Sequence, residues 1–312
     1  MALGGIALSL GLGSLSLSPE TVFQALFRVG QNDLAREVIW QLRLPRALGA
    51  FACGGLLALS GVLLQALLAN PLAEPYLLGI SGGASVGALA TMVVGLAQPW
   101  PQGGAFVGAL VSTMLVFTLS RSPEGWTPSR LLLTGVVVAA GWGALVSLLL
   151  TMGSDVSLRG MVFWLMGDLS QIDDPRWVGV TLVVGFIAAL GLAPQLNILA
   201  HGEYLAATVG VEVSRLRLVI YLLASLLTAL AVTEAGTIGF VGLVVPHLVR
   251  LIVGADHRWL LPGAVLAGGG LLTVADTLAR TLVAPQELPV GVITALLGVP
   301  LFLWLLYRQV NK

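Results

Sequence analysis

Arg43 and Arg46 stand one helical turn apart in the run Arg43-Leu44-Pro45-Arg46. Arginines at the end of an apolar segment read as interfacial anchors whose stems snorkel along apolar surface, or as docking posts for acidic side chains of a soluble partner. Asp276 and Arg280 lie four residues apart inside another apolar run. A carboxylate there is a proton-relay candidate, but the i,i+4 spacing lets the pair neutralise itself, and structural pairing is the reading adopted. His247 follows Pro246 and has the chemistry of a haem or metal ligand, yet no second ligand stands at a suitable spacing. A packed polar residue beside a kink accounts for it, while His201 and His257 read as solvated loop residues. No nucleophile is paired with a base anywhere, so neither covalent nor hydrolytic chemistry is indicated and no residue is assigned as catalytic or metal-binding.

The only lysine is Lys312. A P-loop needs a lysine after its glycine-rich turn to reach nucleotide phosphates, so ATP and its magnesium, if they drive this protein, are bound by another chain. The one cysteine, Cys53, lies in an apolar run and excludes an intrachain disulfide. Formal net charge is zero, which implies neither nucleic acid nor an anionic surface as partner. Of the 312 residues 57% are hydrophobic and 10% charged, with mean hydropathy +0.97. Soluble domains carry about a quarter charged residues, so the chain is expected to be an all-α, polytopic integral membrane protein whose 39 glycines serve close helix packing.

Apolar runs long enough for a ~30 Å hydrocarbon core place about ten spans in a single domain over 1–312. They fall near 1–17, 44–68, 76–96, 104–119, 131–152, 177–192, 218–232, 240–253, 260–282 and 289–307. The first is short and lacks the basic start of a signal peptide, so it is read as a membrane helix. Ser18-Pro19-Glu20 should cap a short amphipathic helix, and Pro246 should break the eighth span. A mixed segment, 153–176, carries Asp155, Asp168, Asp173 and Asp174 around an aromatic helix. Lys and Arg divide almost evenly between the two sides, so the positive-inside rule gives no orientation.

Three connecting stretches stand out. Residues 196–217 form a polar handle between two spans, with Gly202 and Gly210 bracketing a short helix at 203–209 and with His201, Glu203, Glu212, Arg215 and Arg217 along it. Asn70-Pro71-Leu72-Ala73-Glu74-Pro75 is a turn made rigid by its prolines. It reads as a plain connector or as a constriction at the membrane face, where irregular backbone must line protein or water. Trp126-Thr127-Pro128-Ser129 carries the same two readings. Ser81-Gly82-Gly83-Ala84-Ser85 with Gly87, and Gly268-Gly269-Gly270, read as helix-packing surfaces, since no basic residue accompanies them to make a phosphate cradle.

Over nearly its whole length the chain resembles the permease subunits of type II ABC importers for cobalamin, haem and ferric siderophores. The resemblance rests on long ungapped stretches: RLPRALGAFACGGLLALSGVLLQALLANPLAEPYLLGISGGASVGA, SRLLLTGV, the handle, GTIGFVGLVVPHLVRLIVGADHRWLLPG and ADTLARTLVAPQELPVGVITALLGVPLFLWLL. RLPR, NPLAEP and QELPVG look most like the cobalamin branch, and the N-terminal stretch is shorter than is usual in the family. The resemblance implies a homodimer of ten-helix subunits in the inner (cytoplasmic) membrane, with termini inside and the pathway along the two-fold axis. It implies that Arg43, Arg46 and Arg280 engage glutamates on the two lobes of a periplasmic binding protein. Asn70 and Leu72 fall on the family's cytoplasmic gate, with Thr127, Pro128 and Ser129; Pro128 stands where the cobalamin permease has a hydroxyl residue. Gly202, Glu203, Ala206 and Gly210 fall on the helix that couples each subunit to one of two ABC ATPase partners.

The function expected on that basis is import of a metal chelate, whether cobalamin, haem or a ferric siderophore. The competing expectation is a secondary transporter driven by an ion gradient through Asp276, which would want further intramembrane ionisable sites.

Overall fold

The computed structural model describes residues 2–13, 17–27, 29, 33–121, 127–172 and 174–310, so Trp126 and Asp173 lie outside the described residues. All regular structure among the described residues is helical. The N-terminal part contains α1 (Ala2–Gly11), α2 (Pro19–Leu26), α3 (Asp33–Glu37) and α4 (Leu44–Leu67). Then come α5 (Ile80–Val93), α6 (Trp100–Leu119), α7 (Pro128–Met152), α8 (Asp155–Leu165) and α9 (Arg176–Leu199). The chain closes with α10 (Glu203–Thr208), α11 (Val213–Ala235), α12 (Val241–Val253), α13 (His257–Thr281) and α14 (Val290–Val310).

Among the described residues six helical stretches are long and apolar enough to cross a membrane: Asp33–Leu67, which contains α4, and α6, α7, α9, α11 and α13. Shorter apolar helices are α5, α12 and Val290–Leu305 of α14. With α1, these fall in order on the ten spans read from the sequence. Ser18 caps α2 as expected, its Oγ accepting from Thr21 N at 3.2 Å, with Pro19 at the first helical position.

Two prolines act differently from one another. Pro45 lacks the N–H that would close a turn onto Gln41, and its ring crowds that carbonyl. The helix entering α4 is accordingly widened to a π-turn over Val38–Arg43, with Leu44 N bonding to Ile39 O. Pro246, expected to break its span, sits inside a continuous α12. The carbonyl it leaves without a helical donor, Gly242 O, lies against Gly61, where a Cβ would come within 2.0 Å of it. Packing against a glycine backbone takes the place of the missing hydrogen bond, so the helix runs on.

α4 is the axis of the bundle. It packs against α13, α11, α12, α9 and α1, and it is buried along nearly all its length beyond the first turn. α13 runs antiparallel to it, Gly54 lying against Gly268 O. The packing reading of the glycine-rich runs holds here and in the pair α5–α6, where Gly83 and Gly87 meet the carbonyls of Gly108 and Gly104.

α5 and α12 do not span the full depth. Gly79, before α5, lies beside Ser112 and Ala139 in the interior of α6 and α7. Gly242, opening α12, lies against Leu57 O and Pro75. The chain therefore carries backbone outside the α-helices into the bundle at 69–79, which includes a 3₁₀ turn over Pro75–Leu78, and at 236–240, where protein rather than lipid must satisfy it.

The α5–α6 contact gives a local test. A methyl at Gly104 would sit 2.4 Å from Gly87 O, whereas at neighbouring Gly103 nothing lies within 4 Å. Thermal unfolding in detergent should show Gly104→Ala destabilised by about 1–3 kcal/mol. Gly103→Ala should be neutral, or stabilised by up to about 1 kcal/mol through helix propensity.

Candidate functional site

The beginning of α4, the end of α13 and the end of α1 meet at one face of the bundle and bring the sequence-predicted arginines together. Arg46 grips Asp276 with two nitrogens: Nε donates at 3.0 and 3.2 Å to its two oxygens, and Nη2 at 2.9 Å to Oδ1. Its Nη1 reaches Glu287 Oε2 at 2.9 Å. Arg280 lies one turn beyond Asp276 on α13, its Nε 3.1 Å from Oδ2, and its Nη2 donates to Ser9 Oγ on α1 at 2.9 Å. Arg43 Nη1 donates to Leu10 O at 2.6 Å and Gly11 O at 3.2 Å. A cation is favourable on those carbonyls, which end α1 without helical partners.

These groups are mostly withdrawn from solvent. Asp276 is 1% exposed, Arg43 4%, and the side chains of Arg46 and Arg280 14% and 9%, whereas that of Glu287 is 46% exposed. Asp276 is thus held by two guanidiniums instead of the one that the i,i+4 spacing indicates. Arg46 is not legible as its partner because 230 residues separate them. Glu287 also escapes the sequence reading, although an acid just before the last span is visible in QELPVG. Beside the cluster opens a cavity of about 670 Å³ whose lining includes Gln98, Arg159, Phe163, Asp168 and Glu287.

The handle occupies the opposite end of the bundle, because α9 and α13 pass through to it and α11 returns from it. Gly202 at φ +111° and Gly210 at φ +87° bracket α10, turning the chain out of α9 and back toward α11 in conformations that a side chain would resist. Ala206 is fully buried at the base of α10, whereas Tyr204, Leu205 and Val209 are 85, 48 and 60% exposed. Glu203 pairs with Arg217 at the start of α11.

Asn197, in the last turns of α9, fastens the handle to α13. Its Nδ2 donates to Asp256 Oδ1 at 2.6 Å, and its Oδ1 accepts from His257 N at 2.9 Å. Asp256 caps α13 by accepting from Arg258 N at 2.9 Å, and that bond, with the one from Asn197, holds its carboxyl below the usual range. The capping contribution is therefore complete above the ordinary aspartate pKa and is lost as pH falls through the depressed one. His201 is exposed as expected, but His257 is not a solvated loop residue. It is 4% exposed on the first turn of α13, its Nδ1 2.7 Å from Asn197 Oδ1.

The expected gate residues lie on the handle face, just after α4 and at the start of α7. Asn70 Oδ1 accepts from Leu72 N at 2.9 Å, fixing the turn and leaving Leu72 37% exposed. Thr127 caps α7 through Oγ1, 3.4 Å from Arg130 N; Pro128 takes the first helical position, and Ser129 is exposed. His247 is buried in α12, and among the described residues no group of three or more His, Cys, Asp or Glu could hold a metal ion.

Removing one member of a buried ion pair leaves the other charge uncompensated. Asp276→Ala should cost about 3–5 kcal/mol in detergent unfolding, and adding Arg280→Met, which removes the guanidinium left without a paired carboxylate, should recover a large part of it.

Comparison with known proteins places this geometry. The FecCD transport family matches residues 1–308. The hemin transport system permease protein HmuU of Yersinia pestis is 46% identical over 309 residues, covering 96% of this chain and 91% of that protein. The cobalamin import system permease protein BtuC of Halobacterium salinarum is 42% identical over 293 residues, covering 91% and 77%. A solved ABC transporter assigned to the metal-chelate type, in an inward-facing conformation, superposes with a TM-score of 0.86 at 35% identity, covering 98% and 96% of the two chains. A family match that runs almost end to end, with relatives this similar over most of their own length, means that the chain is an ABC-transporter permease belonging to the FecCD transport family.

Proposed function

We propose that this permease imports a metal chelate of the haem, cobalamin or ferric-siderophore class. A periplasmic binding protein delivers the chelate, which passes to the cytoplasm through the inner membrane. ATP and magnesium are bound by two ABC ATPase partners, and the permease works as a homodimer. The observation that carries this reading is the two-ended layout. A pinned, outward-displayed helix stands on one face and a guanidinium-rich cluster on the other, in a chain whose single lysine, at its terminus, cannot build a phosphate site. The functions named for the relatives, hemin transport and cobalamin import, support the substrate class. The exposed apolar face of α7, with Leu133, Val137 and Leu148, supports a partner subunit or lipid along that helix.

In this reading Tyr204 and Leu205 of α10, with Val209 at its C-terminal end, seat in a groove of the ATPase, with Gly202, Glu203, Ala206 and Gly210 shaping the helix. On the other face, three guanidiniums against two carboxylates leave an excess of positive charge. Arg43, Arg46 and Arg280 would offer it to acidic side chains of the binding protein, with Arg46 exchanging its bond to exposed Glu287 for one across the interface. Asn70 and Leu72, with Thr127, Pro128 and Ser129, form the cytoplasmic gate. Nucleotide binding shifts the conformational population only as far as the partners bind one state better than the other. Asp276, the residue an ion-gradient carrier would use, is occupied by two arginines.

The test is ATP hydrolysis in proteoliposomes by the chain assembled with its ATPase subunits, with and without a loaded binding protein. Glu203→Arg with Gly210→Trp should abolish assembly or drop coupled transport by at least about tenfold, the effect of roughly 1.4 kcal/mol at the interface. Arg43→Glu with Arg280→Glu should remove stimulation by the binding protein while basal hydrolysis persists. Loss of both activities together with a lowered unfolding midpoint would reduce the arginines to a structural role. Uptake driven by an ion gradient without any ATPase would sink the importer reading.

A further inference from the structure

The two irregular stretches inside the bundle are fastened to each other by side chains. Glu74 Oε1 accepts from Phe240 N at 2.9 Å, and Tyr76 Oη accepts from Ile238 N at 2.6 Å. The start of a helix has no internal partners for its N–H groups; Glu74 stands in for water on the N-cap N–H of Phe240, and Tyr76 takes the N–H of Ile238 two residues before the cap. A carboxylate also suits a helix N-terminus electrostatically. Phe240 is held at φ +70°, a left-handed conformation that residues with a Cβ adopt only under constraint. Its ring is wedged against Gly298 of α14.

The other edge of the strap 236–240 is tied toward the arginine face. Thr237 N donates to Trp164 O at 3.4 Å, and its hydroxyl bonds Leu165 O. Asp168 N donates to Ala235 O at 2.9 Å, while Val290 N and Gly291 N donate to Gly167 O and Met166 O at 3.1 and 3.0 Å. One continuous series of main-chain bonds therefore joins α8, α14 and the strap. Glu74 and Tyr76 carry it on to the segment that holds Asn70 and Leu72, only four and two residues before Glu74.

We propose that Glu74 is a positioning residue that latches the gate segment to the strap, so that the gate yields when α8 and α14 move the strap. This rests on the importer reading for what the gate passes, but the latch itself is a property of the chain and is testable alone. The carboxylate acts as a hydrogen-bond acceptor in this role, so its charge is dispensable and its oxygen is not. Ala73, next to Glu74, and Cys53, in the middle of α4, are both fully buried, and they supply a local and a global reporter.

The experiment measures the rate at which a maleimide labels Ala73→Cys, in a Cys53→Ala background, in the purified full chain in proteoliposomes. Adding Glu74→Ala should speed labelling about tenfold, the effect expected from losing one intramolecular hydrogen bond. Glu74→Gln, which keeps an acceptor oxygen, should stay within about twofold of the parent. Tyr76→Phe should move in the direction of Glu74→Ala. Native Cys53 in a Glu74→Ala chain should remain as slow as in the wild type. The latch is overturned if Glu74→Ala labels at the parental rate, if Glu74→Gln labels as fast as Glu74→Ala, or if Cys53 accelerates equally. ATP-driven uptake by the same variants, assembled with ATPase and binding protein, is read separately. Its absence in the wild type would overturn the importer reading, while the labelling rates would still decide for or against the latch.

Discussion

A backbone in hydrocarbon must satisfy its own hydrogen bonds, and this chain's architecture follows from how it meets that demand. Helices meet it along most of the length. Where the backbone leaves the helix inside the bundle, side chains from elsewhere complete the bonding: Glu74 and Tyr76 at the mouth of α12, Asn70 in its own turn, and Ser112 Oγ on Gly79 O at 2.8 Å. At Pro246, which removes a donor inside a helix, a glycine backbone closes over the orphaned carbonyl, Gly61 lying against Gly242 O. The abundance of glycine and the scattered buried polar side chains are two answers to the same demand.

Charge is handled with similar economy. Burying an ion is tolerable only with close partners, and the arginine face satisfies this by gathering Arg46, Arg280, Asp276 and Glu287 into one connected set and resting Arg43 on the end of α1. The set joins three helices far apart in sequence, so its members serve stability whatever else they do. Two further acids in the interior or near it, Glu74 and Glu234, are partly buried, and the first of them is used as an acceptor rather than as an ion-pair partner.

Much of this is legible in the residues. The all-helical membrane fold, the order of ten spans, the pinned handle between Gly202 and Gly210, and the glycine contacts all follow from local patterns of hydropathy and residue size. Pairings across long sequence separations do not, because nothing local marks Arg46 as the partner of Asp276 or Tyr76 as an acceptor for Ile238. His257 escapes a local reading for a related reason. It stands beside Asp256 and Arg258 in a polar turn, and only the approach of Asn197 from α9 buries it. Pro246 misleads because the rule that proline ends helices presumes water or nothing at the freed carbonyl.

The junction of Asn197 with Asp256 makes α13 a lever. One end of this helix is bolted to the handle and the other carries Asp276 and Arg280, with 25 residues between His257 and Thr281. Such a helix is about 37 Å long, and a tilt of about 5° about one end would carry the other about 3 Å. That displacement is as large as the hydrogen bonds that hold Arg46 to Asp276. A small rotation imposed at the handle is therefore enough to unseat the guanidinium cluster at the far face. By thermodynamic reciprocity, a ligand that favours the rearranged cluster would change the affinity of anything that favours the rotated handle, and by the same factor.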